Sequence, residues 1–150
     1  MPGRALPYRA LCAIAHFASE SLNVFRWTVT LTVYCAAPPS NDLTDALHSI
    51  PELSYVPPVV DDRHLRYVRW EIRSRCDPLD ELDEHIEDVL ARLRTRHAQL
   101  HTVTALGGEV SLDVRCAPPP DVIAGLLIEH RHVAELGTLR ASISLEVVGT

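Results

Sequence analysis

Strict alternation of apolar and polar residues marks four segments of the chain. They span residues 24–35, 65–75, 109–116 and 139–147. In the first, Phe25, Trp27 and Val29 alternate with Arg26 and Thr28. A period of two places successive side chains on opposite faces of a strand. Each segment therefore predicts a half-buried β-strand.

Two short helices are predicted between these strands. Ser40 or Asn41 can cap the first one, whose apolar residues recur at helical spacing until Pro51 stops it. The second is predicted to follow the prolines at 118–120 and to end at Gly137, because glycine is common just past a helix C-terminus.

A longer helix is predicted between the second and third strands. Asp77 is its expected N-cap, Pro78 occupies the first turn, and a leucine-rich stripe continues to Leu100. The glycine pair at 107–108 then turns the chain into the third strand. Residues 51–64 are proline-rich and are predicted to form a loop.

The two-faced character of the strands decides the fold class. Strands of a parallel sheet covered on both sides are apolar on both faces, whereas these have one polar face. We therefore expect an α+β fold with a four-stranded, mainly antiparallel sheet and helices packed on one face, ferredoxin-like in broad architecture. Residues 22–150 are expected to form this single domain.

Residues 1–21 are expected to be an N-terminal extension. Apolar residues recur there at helical spacing, which indicates an arm or a short helix. A short apolar stretch ending in small residues also has the features of a signal peptide, and a misassigned upstream start codon is a further alternative.

The basic side chains are unusual, because the chain contains no lysine and all 14 are arginines. Without lysine, neither a Schiff base nor a phosphate-loop lysine is available. With 20 acidic residues the net charge is −6, which argues against binding to nucleic acid or to an anionic membrane through overall electrostatic attraction.

The compartment is predicted from apolar runs and cysteine spacing. No apolar run approaches the roughly 20 residues of a membrane span. None of the four cysteines belongs to a CxxC pair, and Cys35 and Cys116 fall on apolar strand faces. We therefore expect reduced thiols in a cytoplasmic protein.

The polar strand faces gather the residues that we predict to bind a partner. They are Arg26, Tyr34, Tyr67, Arg69, Arg73, Arg75, Arg115 and Arg140. Because only Glu71, Asp113 and Glu146 oppose them, the sequence predicts a net-basic face on an acidic protein. The arginine fork suits carboxylates and phosphates, so this face is expected to dock a protein partner.

Other interpretations of this face remain open. Cross-strand pairs of arginine and carboxylate also keep an exposed sheet soluble. The face could bind an anionic ligand, or it could join two copies of the chain in a homodimer. Nucleic acid is not favoured, because Tyr34 and Tyr67 are too few aromatic side chains for an RNA-stacking sheet.

An enzyme or a metal-binding protein is the alternative function. His97 and His101 are spaced i, i+4, His130 lies near the end of the last helix, and Cys76 adjoins a helix N-terminus. No sequence signature supplies further ligands or a base, so we expect no cofactor, no metal and no catalytic residue. The alternative requires at least two of these residues, or one of them with His64, in one pocket.

The layout also resembles a known family. The matching pieces are residues 41–47, 50–51, 68–72, 79–93, 110–114, 122–137 and 143–147. From residue 24 to residue 148 this order is similar to that of the bacterial domain-of-unknown-function family 4279, although residues 59–64 and 145–148 depart from its pattern. The resemblance implies a small α+β domain and brings no established activity.

Taken together, these patterns predict a non-catalytic cytoplasmic binding module. It would be an accessory or immunity-type protein that acts by steric blocking. The polar sheet face and the loop at 51–64 are the expected contact surfaces.

Overall fold

Five strands form one mixed sheet in the computed structural model, which describes residues 24–58, 66–122 and 125–149. The strands are β1 (Arg26–Ala36), β2 (Ser54–Val56), β3 (Tyr67–Arg73), β4 (Glu109–Ala117) and β5 (Ser142–Val147). Their order is β2-β3-β1-β4-β5, antiparallel from β2 through β4, with β5 parallel to β4. The α+β class is confirmed, but the sheet has a fifth strand and one parallel pair.

Helices cover one face of this sheet. They are α1 (Asn41–His48), α2 (Leu82–Leu93), α3 (His97–Ala105) and α4 (His130–Thr138), with a 3-10 turn at Arg94–Arg96 between α2 and α3. The core lies between the two layers. It joins Leu31 of β1, Leu112 of β4 and Ile86 of α2, all fully buried. The apolar faces predicted for β1, β3 and β4 are the buried ones. The segment that forms β5 was also predicted to be half-buried, but all of its residues are exposed, because no helix in the described part of the chain covers its apolar face.

The fifth strand lies inside the segment that was predicted to be a loop. Ser54–Val56 pairs antiparallel with β3 at the edge of the sheet, and the Tyr55 ring packs on Trp70 with 5.2 Å between ring centroids. Three residues are too few to show a period of two, and Pro57 follows at once, so the sequence pattern missed this strand. Residues 59–64 of the predicted loop lie outside the described part.

The long helix differs from its prediction at both ends. Residues 77–80 form a turn in which Asp77 accepts the Leu79 N–H at 2.9 Å, and the helix begins four residues after Pro78, at Leu82. It ends at Leu93, because the 3-10 turn separates it from α3. The leucine-rich stripe is nevertheless buried as predicted, including Leu100 on α3.

Helix α3 ends in a Schellman motif, which explains the glycine pair. The Gly108 N–H donates to the Val103 carbonyl at 2.9 Å and the Gly107 N–H donates to Thr104 at 3.1 Å. Gly107 has φ +99°, in the left-handed region that glycine tolerates. This turn leads into β4, as the sequence predicted.

The last helix is shorter than predicted and does not end at Gly137. Residues 125–129 are not helical, α4 starts at His130, and it continues through Thr138. Arg140 occupies the left-handed position after the helix, with φ 53°. Strand β5 therefore starts at Ser142, three residues after its predicted start.

Candidate functional site

The polar sheet face is the side of the sheet that lies opposite the helices. Residues directly opposite each other in neighbouring strands share a face. Tyr34 on β1 is opposite Arg69 on β3, and Thr30 lies between Arg73 on β3 and Asp113 on β4. The antiparallel register thus brings polar residues from distant parts of the chain into adjacent rows.

Six of the eight predicted binding residues lie on strands of the polar sheet face. They are Arg26, Tyr34, Tyr67, Arg69, Arg73 and Arg115. The other two lie outside the strands, contrary to the predicted strand register. Arg75 lies past the end of β3, where its backbone N–H donates to Asp88 at 3.0 Å. Arg140 lies in the turn after α4, which is also outside the strands.

The predicted net-basic charge of this face is wrong. Glu109 lies opposite Tyr34 and belongs to the same face. The strand positions of the polar sheet face carry four arginines and four carboxylates, namely Arg26, Arg69, Arg73, Arg115, Glu71, Glu109, Asp113 and Glu146. The face is therefore balanced in charge, and any attraction for an acidic partner must be local.

A hydroxyl network around Asp113 occupies the centre of the polar sheet face. Its carboxylate accepts hydrogen bonds from Thr32 at 2.7 Å, Ser111 at 2.7 Å and Tyr34 at 3.3 Å. Thr32 and Ser111 are buried, although the sequence predicted an open face. Their small side chains lie among longer ones, and their hydroxyls are satisfied by the carboxylate.

This network fixes the protonation and position of Tyr34. Burial, and then the neighbouring Asp113 carboxylate, raise the pKa of the Tyr34 phenol above its usual value. The phenol therefore stays neutral at physiological pH and remains a hydrogen-bond donor to Asp113. The result is an ordered aromatic side chain beside Arg69.

Only some of the arginines on the polar sheet face form ion pairs. Arg115 and Glu146 approach to 2.8 Å, and Arg73 lies 3.5 Å from Glu71. Among the described residues, Arg69 and Arg26 form no ion pair.

We call Tyr34, Tyr67 and Arg69 the Tyr–Arg corner. Tyr67 lies two residues before Arg69 on the same side of β3 and is 61% exposed. Val56 of β2 lies opposite Arg69 and borders the corner. The corner thus combines two aromatic side chains with a guanidinium that has no ion-pair partner in the described part of the chain, at one end of the polar sheet face.

A separate cavity of about 210 Å³ lies beside Cys76 and is lined in part by Trp27, Ser74 and His85. The Ser74 hydroxyl lies 2.9 Å from His85 Nδ1 and also accepts the Cys76 N–H at 3.1 Å. The Cys76 thiol donates to the Glu84 carbonyl at 3.5 Å. Because the thiol is directed at a carbonyl oxygen and not at a base, the contacts do not activate it as a nucleophile.

The cavity does not meet the requirement of the enzyme alternative. Of the residues named for that alternative, only Cys76 lines it, and His64 lies outside the described residues. The sequence reasoning missed His85, which is 2% exposed and whose buried Nε2 has no hydrogen-bond partner among the residues that the structure describes. An available signal was its position among Leu82, Ile86 and Val89 on the apolar stripe of α2.

Among the histidines in the described ranges, His132 has the most polar contacts. It is completely buried, with Nδ1 3.0 Å from Asp83 and Nε2 3.0 Å from Glu87. This geometry places the buried ring of α4 between two carboxylates of α2.

Arg94 extends this cluster between the two helices. Its guanidinium binds Glu87 through two hydrogen bonds of 2.7 and 2.8 Å, and it also binds Glu135 of α4. The hydrogen bonds to Arg94, with a further one to His132, lower the pKa of the Glu87 carboxyl to about 2. The contacts attach α4 to α2 and provide no open position for a ligand.

The histidines proposed as metal ligands do not converge. His97 Nε2 lies 3.6 Å from Glu135, while His101 and His130 are exposed. Within residues 24–58, 66–122 and 125–149, no group of three or more His, Cys, Asp or Glu side chains is arranged to hold a metal ion.

Comparison with protein-family models, with curated proteins and with solved structures gives no match. In the described part of the chain, no helix is long and apolar enough to cross a membrane.

Proposed function

We propose that this protein is a non-catalytic binding module that docks an acidic segment of a protein partner on the Tyr–Arg corner. The observation that carries the proposal is the exposed Arg69, which forms no ion pair among the described residues and lies opposite Tyr34. Arginine and tyrosine are enriched among the residues that dominate protein interfaces.

The Asp113 network supports this role because it limits the entropy lost on binding. Tyr34 is already ordered by its hydrogen bond to Asp113, so less side-chain freedom remains to be lost. An arginine fork beside an ordered aromatic ring binds a carboxylate through two N–H groups. These features favour the interpretation that Arg69 binds a carboxylate of a partner over the interpretation that it pairs with a carboxylate of its own sheet.

The described end of the 51–64 segment borders this site. Val56 lies opposite Arg69 on the edge of the sheet. A partner seated on the Tyr–Arg corner would therefore also contact β2. An accessory or immunity-type protein that blocks its partner sterically fits this arrangement.

We also propose that the architecture is ferredoxin-like with an added strand. The order β1-α1-β2-β3-α2-α3-β4 contains two split β-α-β units: β3 lies between β1 and β2, and β1 lies between β3 and β4. Helix α4 and β5 then follow as an addition at the β4 edge. Membership of family 4279 stays a prediction.

A cytoplasmic location is part of the same proposal. The three cysteines in the described part of the chain are free thiols, and Cys35 and Cys116 are buried in the sheet. Burial raises the pKa of both thiols, which makes them poor nucleophiles. Free thiols suit a reducing compartment.

Capture of partners by tagged protein tests the binding function. Tagged wild-type protein and its Arg69→Glu and Tyr67→Ala variants are used as baits in the native host, and the captured proteins are identified by mass spectrometry. We expect the wild type to capture a protein with an acidic segment. The amount of this protein captured by either variant should be lower by about tenfold or more.

Arg140→Glu is the matched control, because it makes the same charge change at an exposed position outside the strands. It should capture the partner as well as the wild type does. Equal capture by Arg69→Glu, or capture of nothing by the wild type, would contradict the proposed function.

A further inference from the structure

The two edges of the sheet differ in how they are protected from pairing with other strands. Strand β2 has three residues and is followed by Pro57 and Pro58. Short length and proline are the usual means by which an edge strand avoids pairing. Strand β5 has six residues without proline, and among the described residues its outer edge is unpaired.

Strand β5 also exposes apolar side chains. Ile143, Leu145 and Val147 share the helix-side face and are 42%, 43% and 51% exposed. The alternate residues Ser142, Ser144 and Glu146 lie on the polar sheet face. An exposed edge strand with alternating apolar residues is a site for β-strand addition.

We propose that β5 pairs antiparallel with β5 of a second copy of this chain, with Leu145 on the two-fold axis. In this register Ile143 lies opposite Val147 of the other copy, and Ser144 lies opposite Glu146. The apolar side chains of both copies then lie on the helix side of the joined sheet and the polar ones on the opposite side, because opposite residues in a sheet share a face. The six apolar side chains of the two strands form one continuous strip.

The charges of the strand are compatible with this partner. Glu146 is the only charged residue of β5, and it pairs with Arg115 of β4 at 2.8 Å within each copy. The two copies therefore meet without an unpaired like charge. A two-fold contact of this kind is closed, so it gives a dimer and not a fibre.

Sedimentation equilibrium tests the dimer. A contact along one strand is expected to fall short of the roughly 1,000 Å² of a stable interface, so we expect weak association within about 10 to 500 µM. Wild-type protein should approach twice the 16.7 kDa mass of the chain as the concentration rises. Leu145→Arg, which places two cations at the axis, should remain monomeric.

Val133→Arg is the matched control, because Val133 is about as exposed as Leu145 but lies on α4 and not on β5. It should dimerise like the wild type. A wild-type mass of one chain at all these concentrations would overturn the proposal, as would a dimer that persists in Leu145→Arg. Circular dichroism of each variant confirms that the fold survives.

Cysteine cross-linking gives a second test that does not depend on the arginine variant folding. Two residues on the two-fold axis of an antiparallel pair have Cα atoms within disulfide range. Leu145→Cys should form a disulfide-linked dimer under mild oxidation, above the background from the native cysteines. Ser144→Cys should not exceed that background, and equal cross-linking by both variants would overturn the register.

Discussion

Arg140 holds a backbone conformation that ordinarily belongs to glycine. Its φ of 53° follows the end of α4, where its N–H donates to Gly137 and the next N–H donates to Leu136. A side chain in this left-handed region costs roughly 1–2 kcal/mol, of which a glycine recovers only part because it adds freedom to the unfolded chain.

We therefore expect Arg140→Gly to raise the free energy of unfolding by about 0.5–1 kcal/mol, measured by urea denaturation. Arg140→Ala is the control, because it removes the charge but retains Cβ. An equal gain from both variants would show that charge, and not backbone conformation, is responsible.

Replacing Gly108 and replacing Gly137 with alanine should change the free energy of unfolding in opposite directions. A Cβ on Gly108 would lie 2.6 Å from Val103 Cγ1 and 3.0 Å from the Val103 carbonyl oxygen, whereas one on Gly137 would meet nothing within 4 Å. Gly108→Ala should lower the free energy of unfolding by about 1–3 kcal/mol, because the Schellman turn must shift. Gly137→Ala, inside α4, should raise it by up to about 1 kcal/mol.

Thermal denaturation of the two variants gives a direct comparison with the wild type. Their melting temperatures should fall on opposite sides of the wild-type value. A Gly108→Ala variant as stable as the wild type would mean that the close approach to Val103 is absent.

Sequence patterns predicted the burial of single residues where a period of two or of 3.6 applied. They did not predict contacts between residues that are far apart in the chain. Leu31 and Ile86 are buried as their periods predict. The two carboxylates around His132 lie 49 and 45 positions earlier in the chain, and no spacing rule connects them with the histidine. Glu109 was overlooked although the period of two within its own strand places it on the same face as Ser111 and Asp113.

Helix α4 is attached to α2 by charge contacts that surround His132. Replacing His132 with leucine removes both ring nitrogens and leaves Asp83 and Glu87 facing an apolar side chain. Because the two carboxylates are partly exposed, the expected loss is roughly 2–3 kcal/mol, below that for a fully buried pair. Chemical denaturation measures this value.

His130→Leu is the control for this substitution, because His130 lies on the same helix and is exposed. It should change the free energy of unfolding by less than about 0.5 kcal/mol. A comparable loss in both variants would mean that the two carboxylate contacts contribute little.

The same cluster predicts how stability depends on pH. The folded-state pKa of Glu87 is lowered to about 2 by Arg94, from an ordinary value of 4.5. A depressed carboxyl pKa contributes stability that is fully present above pH 4.5 and is lost as the pH falls from 4.5 toward 2.

Glu87→Gln should therefore reduce the slope of unfolding free energy against pH between pH 4.5 and 2. Asp42→Asn, at an exposed acidic residue in the first turn of α1, is the control. An unchanged slope in Glu87→Gln would contradict the assignment of this acid sensitivity to the Glu87–Arg94 pair.

Helices and strands were predictable where one period persisted over several turns or residues. The break between α2 and α3 could not be predicted from a period. Arg94 binds Glu135 on α4, and Arg96 binds Glu52, which follows α1. These contacts exist only once the helices have packed. Strand β2 was missed for a different reason, since its length lies below the reach of any periodic pattern.

The whole molecule combines an acidic chain with a sheet face that is balanced in charge. The net charge of −6 therefore resides outside the strand positions of the polar sheet face. An acidic partner would gain little from long-range attraction, and its affinity must come from close contacts at the Tyr–Arg corner. The charge of the face could not be read from the sequence, because it depended on which arginines belong to strands.

A charge-swap cycle at Arg69 tests the binding account most directly. Calorimetry would measure the affinity of the captured partner for the wild type and for Arg69→Glu, each with the native partner and with a partner whose contacting acid is changed to arginine. The account predicts a loss of about tenfold or more for each single change and recovery in the double change. Losses that simply add, with no recovery, would contradict docking of an acidic segment at Arg69.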